Sequence, residues 1–176
     1  MFLFCLIFSA LSEAEIIMAT EENGDSSRCF LVGKKTDIIE AKRINLTVGD
    51  RDIIVIHHQG TFYSMDQHCY HAGGPLLNGD IEEFNSMLCI VCPKHKYKMS
   101  LEEGEGIYKA SNPKEPEQPA RWYSKGIKQR VHKVTEVDGN IFVTLSDCPG
   151  WIESDYYQGE KGREELKKAL AEKSNC

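Results

Sequence analysis

The chain has 176 residues, 41 % apolar and 27 % charged, enough for one ordinary domain with tails and too few for an added large catalytic domain. Its 21 Lys and Arg against 27 Asp and Glu give a net charge of −6, which argues against a general nucleic-acid binder, because phosphates need a basic footprint. Seven cysteines, an odd number scattered from Cys5 to Cys176, do not make the paired framework of a small secreted scaffold; they read as free thiols, metal ligands or both.

Met1 to Leu11 form an apolar run broken only by Ser9. It is too short to span a bilayer as a helix. Its length suits a signal-peptide core, but no Lys or Arg precedes it and Ser12-Glu13-Ala14 is a poor cleavage site. Met18 then opens a polar stretch. Residues 1–27 are therefore expected to be a flexible N-terminal extension, with residues 1–17 an upstream segment or a weak targeting signal.

From residue 28 the texture is that of strands. Cys29 to Val32 and Ala41 to Val48 look extended. Asp52 to His57 is a β-branched run, as in a buried strand. Gly60 breaks it before Thr61 to Met65, which predicts a hairpin. Pro113, Pro116 and Pro119 mark a stiff loop. Arg130 to Val137 and Asn140 to Leu145 flank Asp138-Gly139, a strong hairpin signal. No amphipathic helix longer than two turns is visible in this stretch. Residues 28–147 are thus expected to be one all-β domain, a small antiparallel sandwich or barrel. Residues 148–176 read as a C-terminal tail. There Leu166 and Leu170, and Glu164 and Lys168, have helical spacing, which leaves a short helix or a solvated tail.

The chemistry-bearing residues lie between the hairpins. Cys69-Tyr70-His71-Ala72-Gly73-Gly74-Pro75 is followed by Cys89-Ile90-Val91-Cys92-Pro93-Lys94-His95-Lys96-Tyr97. The pattern is C-x-H, then C-x-x-H. Each half presents one thiolate and one imidazole from a Gly- or Pro-containing loop, and two facing loops would gather two Cys and two His. The order Cys-His…Cys-His differs from a zinc finger, in which both Cys precede both His. It suits a binuclear iron–sulfur cluster, with two thiolates on one iron and two imidazoles on the other.

On these residues the chain resembles the Rieske family, specifically its small soluble ferredoxin-like branch. Cys69, His71, Cys92 and His95 match the four ligand positions, which implies one [2Fe–2S] cluster per chain and a cluster-binding subdomain made of two loops, about residues 68–98. The resemblance extends to the flanking hairpins, the Gly104-Glu105-Gly106 turn and the Pro-containing loop. High-potential members carry an extra cysteine in each loop, joined as a disulfide; those positions are Gly74 and Lys94 here. They also carry a Ser and a Tyr whose hydroxyls donate hydrogen bonds to sulfur; those positions are Tyr97 and Met99. Such donors stabilise the more negative reduced state, so their loss implies a potential at the low end of the family's range, about −150 mV. Lys94, Lys96 and Lys98 oppose this weakly through solvent. The outward imidazole N–H groups imply a potential that falls as pH rises; a flat potential–pH titration would refute this.

Other residues invite plainer readings. Cys89 mimics a CxxC motif with Cys92 but lies in an apolar run, as a buried strand cysteine does. His68 breaks the C-x-H pattern and reads as a surface or supporting residue. His57, His58 and His132 fall at strand positions and need no function, while Met65 and Tyr97 are expected to pack near the cluster. Glu102, Glu103 and Glu105 read as a solvated turn. The lysines around His95 are the better docking surface. Four functions remain to be weighed. The leading one is a one-electron carrier to an unidentified redox partner protein. A self-contained oxygenase is excluded, because His132 is the only histidine after His95 and cannot supply a 2-His-1-carboxylate triad; serving a separate oxygenase stays open. A zinc-stabilised binding module and an iron–sulfur sensor use the same four residues. The chain is expected to be a cytoplasmic monomer without a stable membrane span, with mitochondria as the alternative, since clusters are inserted by intracellular machinery.

Overall fold

The computed structural model describes residues 28–174 except Pro116. The apolar run at the N-terminus, Met18, Cys5 and Cys176 lie outside the described residues.

Eleven strands form two antiparallel sheets among the described residues. The first sheet contains β1 (Cys29–Lys34), β2 (Arg43–Val48), β3 (Arg51–His58), β4 (Thr61–Asp66), β10 (Val131–Val137) and β11 (Asn140–Thr144), in the order β1-β11-β10-β4-β3-β2. It curls into a nearly closed barrel, and residues from both of its ends share one core: Phe30 and Val32 with Ile44, Leu46 and Val48. A seven-residue helix, α1 (Lys35–Ala41), plugs this core with Ile38. The second sheet runs β5 (Asp80–Phe84), β6 (Met87–Val91), β7 (Lys98–Ser100), β8 (Glu105–Ala110) and β9 (Arg121–Ile127) in sequential order. The all-β, antiparallel expectation is met.

Strand β3 explains how the two layers join. Successive strand side chains point to opposite faces. Ile53 and Val55 enter the barrel core, while Ile54 and Ile56 enter a second core with Met65, Leu76, Ile90 and Met99. Both faces are buried, which is why the run is continuously β-branched rather than alternating. Two Gly-containing turns set its neighbours in register. Gln59-Gly60 and Asp138-Gly139 all have positive φ, as the tight hairpin turns require.

The segment after residue 147 is tied to the barrel. A 3₁₀ segment (Glu153–Gln158) leads into α2 (Glu160–Ser174). Asp155 receives Arg130 and Arg51, and Ser154 donates to the fully buried Asp66 at 2.6 Å. Glu164 and Lys168 do not form the ion pair that their spacing allowed, among the described residues. No helix of the described residues is long and apolar enough to cross a membrane.

Candidate metal centre

Two loops with one backbone design meet at the edge of the second core. The first follows β4, and the second joins β6 to β7. In each, the cysteine N–H donates to the carbonyl five residues on: Cys69 to Gly74 at 2.9 Å, Cys92 to Tyr97 at 2.7 Å. In each, the cysteine carbonyl accepts from the N–H four residues on: Gly73 and Lys96, both at 2.9 Å. That fourth residue has left-handed φ in both loops, +62° at Gly73 and +58° at Lys96. In each, the cysteine sulfur accepts from the N–H groups two and three residues on, His71 and Ala72 in the first loop and Lys94 and His95 in the second.

This design buries the sulfurs and exposes the rings. Cys69 and Cys92 are 1 % and 2 % exposed and belong to the second core, whereas His71 and His95 are exposed. The two thiols hydrogen-bond to each other. The Cys92 partner and burial push the Cys69 thiol up, and the hydrogen bond from Cys69, with the flanking N–H groups, brings Cys92 down. One sulfur of the pair is thereby held as a thiolate, the form that binds metal. The rings of His71 and His95 meet edge-on with centroids 5.1 Å apart. Burial, then His95, Lys125 and Lys94, hold the His71 imidazole below its ordinary pKa and so neutral, as a metal ligand must be. The four residues singled out from the sequence thus lie as a sulfur pair and an imidazole pair, and among the described residues no three such side chains are grouped closely enough to hold one ion.

Other expected neighbours find definite places. Cys89 is fully buried in β6, and burial pushes its thiol up to about 11, which leaves it inert. Met65 and Tyr97 pack on the same core as the two cysteines. Tyr97 stacks on His71 at 3.8 Å, the planes 10° apart. His68 is half-buried, and its Nδ1 has no partner. His132, read from sequence as needing no role, is buried and contacts Asp66 at 3.3 Å. A Cβ on Gly74 would lie 2.6 Å from Cys92 Sγ and 3.0 Å from Lys94 Cβ, so positions 74 and 94 face each other across the site and only a glycine leaves room for the sulfur.

Gln129 was invisible to the sequence reading. It is fully buried; its Oε1 accepts from Tyr70 N, and its Nε2 donates to the carbonyls of Asp66 and His68. Three bonds from one amide hold the approach to the first loop. A lone Gln between basic residues carries no local signal for this, because all three partners lie about sixty positions away in sequence.

A family model for soluble Rieske-type ferredoxins matches residues 30–148. The chain belongs to that family. Human Rieske domain-containing protein is 50 % identical over 137 residues, 78 % of this chain and 86 % of its own. The ferredoxin component of the alkene monooxygenase system of Xanthobacter autotrophicus is 30 % identical over 64 residues, 36 % of this chain and 50 % of that protein. Among solved structures, the terminal oxygenase of carbazole 1,9a-dioxygenase from Novosphingobium sp. KA1 shares the fold over 73 % of this chain and 32 % of its own, with TM-score 0.50 at 14 % identity. In this Rieske-type ferredoxin the position of Met99, where high-potential members carry a tyrosine, presents a thioether 3.8 Å from Cys69 Sγ. A thioether accepts but does not donate.

Proposed function

We propose that the protein binds one Rieske-type [2Fe–2S] cluster through Cys69, Cys92, His71 and His95, and carries single electrons to a separate redox protein. The observation that carries this reading is the division of the four side chains into a buried, N–H-bonded sulfur pair and an exposed imidazole pair. That division fits two metals with unlike ligands. A single tetrahedral zinc would instead draw all four side chains to one point, and a metal count separates the two. The ferredoxin relatives, one of them a component of an alkene monooxygenase system, support a carrier that serves another enzyme.

When bound, the group supplies a one-electron couple. The chain supplies the rest. Cys69 and Cys92 would hold one iron in the core, where four backbone N–H groups stabilise negative charge on sulfur. His71 and His95 would hold the other at the surface, where a partner can approach within electron-transfer reach. Met99 donates no hydrogen bond to Cys69, which supports a low potential for the family.

The test is spectroscopic. Purified protein should be reddish when air-oxidised and contain about two irons and two acid-labile sulfides per chain. Reduction by dithionite should give an EPR signal with average g below that of all-cysteine clusters. Cys92→Ser should abolish the colour. A colourless protein holding one zinc after anaerobic purification would refute the reading.

A further inference from the structure

We infer that the partner meets this protein through an acidic surface, docked on a basic aromatic patch that surrounds the exposed imidazoles. This rests on the carrier reading above and adds the chemistry of the partner.

Two lysines flank the exposed imidazoles: Lys94 lies in the second loop next to His95, and Lys125 lies over Tyr97, which stacks on His71. Among the described residues neither lysine has a carboxylate within ion-pair distance. Lys94 Nζ donates instead to Ala72 O at 3.0 Å, bridging the two loops. Lys125 Nζ lies over two aromatic rings, 5.1 Å from the Tyr97 centroid and 5.3 Å from that of Tyr108. A ring holds an ammonium without neutralising it. Other basic residues do have carboxylate partners: Lys35 pairs with Glu136, Lys128 with Glu153, Arg51 and Arg130 with Asp155, and, beside the patch, the exposed Lys96 lies 3.9 Å from Asp80. Net charge is −6, yet Lys94 and Lys125 stand without a carboxylate partner, among the described residues, where the imidazoles emerge.

The aromatic part is continuous with the site. Tyr97 stacks on His71 and touches Tyr70 edge-on, and Tyr108 packs against Tyr123. Tyr108 and Tyr123 are 39 % and 40 % exposed, and Ile127 farther along β9 is 51 % exposed. Strand β9 is an edge of its sheet, with six of its seven residues exposed. Half-exposed tyrosines with unpaired lysines are what a transient interface uses: apolar contact at the centre and steering charge around it. Nucleic acid would also answer to lysines and rings, but an acidic protein repels it overall. A protein surface with a few carboxylates needs only this patch, whereas a nucleic-acid backbone needs a longer basic footprint than these lysines supply.

The test uses Lys125→Glu against Lys109→Glu. Both change the net charge equally, but Lys109 lies over Trp122 on the opposite face of the β8–β9 pair. The probes are hexacyanoferrate(III), an anionic one-electron oxidant, and hexaamminecobalt(III), a cationic one. Reduced holoprotein should be oxidised by hexacyanoferrate(III) at a rate that falls as salt is added, against the sign of the net charge. Lys125→Glu should slow that reaction at least about threefold at low salt, speed the cobalt reaction and leave the EPR spectrum unchanged; Lys109→Glu should do neither. A rate that rises with salt, or equal effects of both variants, overturns the inference. A second arm needs no cluster: decaglutamate titrated into the protein as purified should shift the amide resonances of residues 94–98, 108 and 123–125. Shifts scattered elsewhere, or tighter binding of a ten-residue oligothymidylate, also overturn it. A protein without a cluster that still binds decaglutamate at these residues would sink the carrier reading alone.

Discussion

The two ligand loops share a hydrogen-bond pattern and differ in what lies behind them. The first loop is backed by protein behind its exposed His71. Gln129 grips its approach, and Tyr157 and Leu166 cover Gly73 so closely that a Cβ there would lie 2.8 Å and 2.7 Å from them. The second loop faces solvent: Pro93, Lys94, His95 and Lys96 are all exposed. At the left-handed position the first loop has Gly73 and the second Lys96. The same backbone is therefore reached once under a packed cover and once at the surface, where the tertiary ties are Lys94 to Ala72 O and Lys96 to Asp80. The first loop is held by the fold, and the second is free to present charge.

Substitutions can break this contrast. The largest effect should come from Asp66→Ala. Asp66 is fully buried and is gripped by Arg51, Ser154 and His132. Its loss leaves Arg51 partly uncompensated and should cost about 3–5 kcal/mol, read by urea denaturation. The same network sets the acid limit. Burial alone would raise the Asp66 pKa, but hydrogen bonds from His132 and Arg51 lower it below the ordinary 3.8, and Asp155 is lowered likewise by Arg130 and Arg51 against its own desolvation. A depressed carboxylate contributes stability that is complete above its unfolded pKa and is lost as pH falls through the folded one. Stability from this network should be level down to about pH 4 and fall steeply below it; Asp66→Ala should flatten that fall.

Gly73→Ala comes next, at about 2–4 kcal/mol, since it adds left-handed strain to overlap with Tyr157 and Leu166. Lys96→Ala, at the equivalent position, should change stability by less than about 0.5 kcal/mol. Equal losses at the two positions would end the distinction between the loops. Gln129→Leu leaves Tyr70 N and two carbonyls unpaired and should cost about 1–3 kcal/mol, with faster bleaching of the visible absorbance. One effect has the opposite sign: Lys96→Gly relieves positive φ and should stabilise by roughly 0.5–1 kcal/mol, raising Tm by a few degrees.

The barrel strands and both hairpins could be read from the sequence, because each has an apolar or β-branched run closed by a turn dipeptide. The second sheet was harder. Its β7 is three residues long, β9 has almost no buried face, and β5 carries three acidic residues in five. Helix α1 was missed because seven residues with one buried side chain show no periodicity. The four candidate ligand residues stood out because each loop concentrates Cys and His within four positions. The supports of the first loop were not. Gln129, Asp155, Tyr157 and Leu166 act across distances in sequence that no local pattern encodes.

The contact of Gly73 with Tyr157 and Leu166 also sets a timetable. A ribosome makes residue 73 some ninety residues before the leucine that closes over it. Until that leucine leaves the exit tunnel, the first loop lacks the wall that shapes it. The shape of the first loop is therefore completed only late in synthesis, by a residue from the far end of the fold.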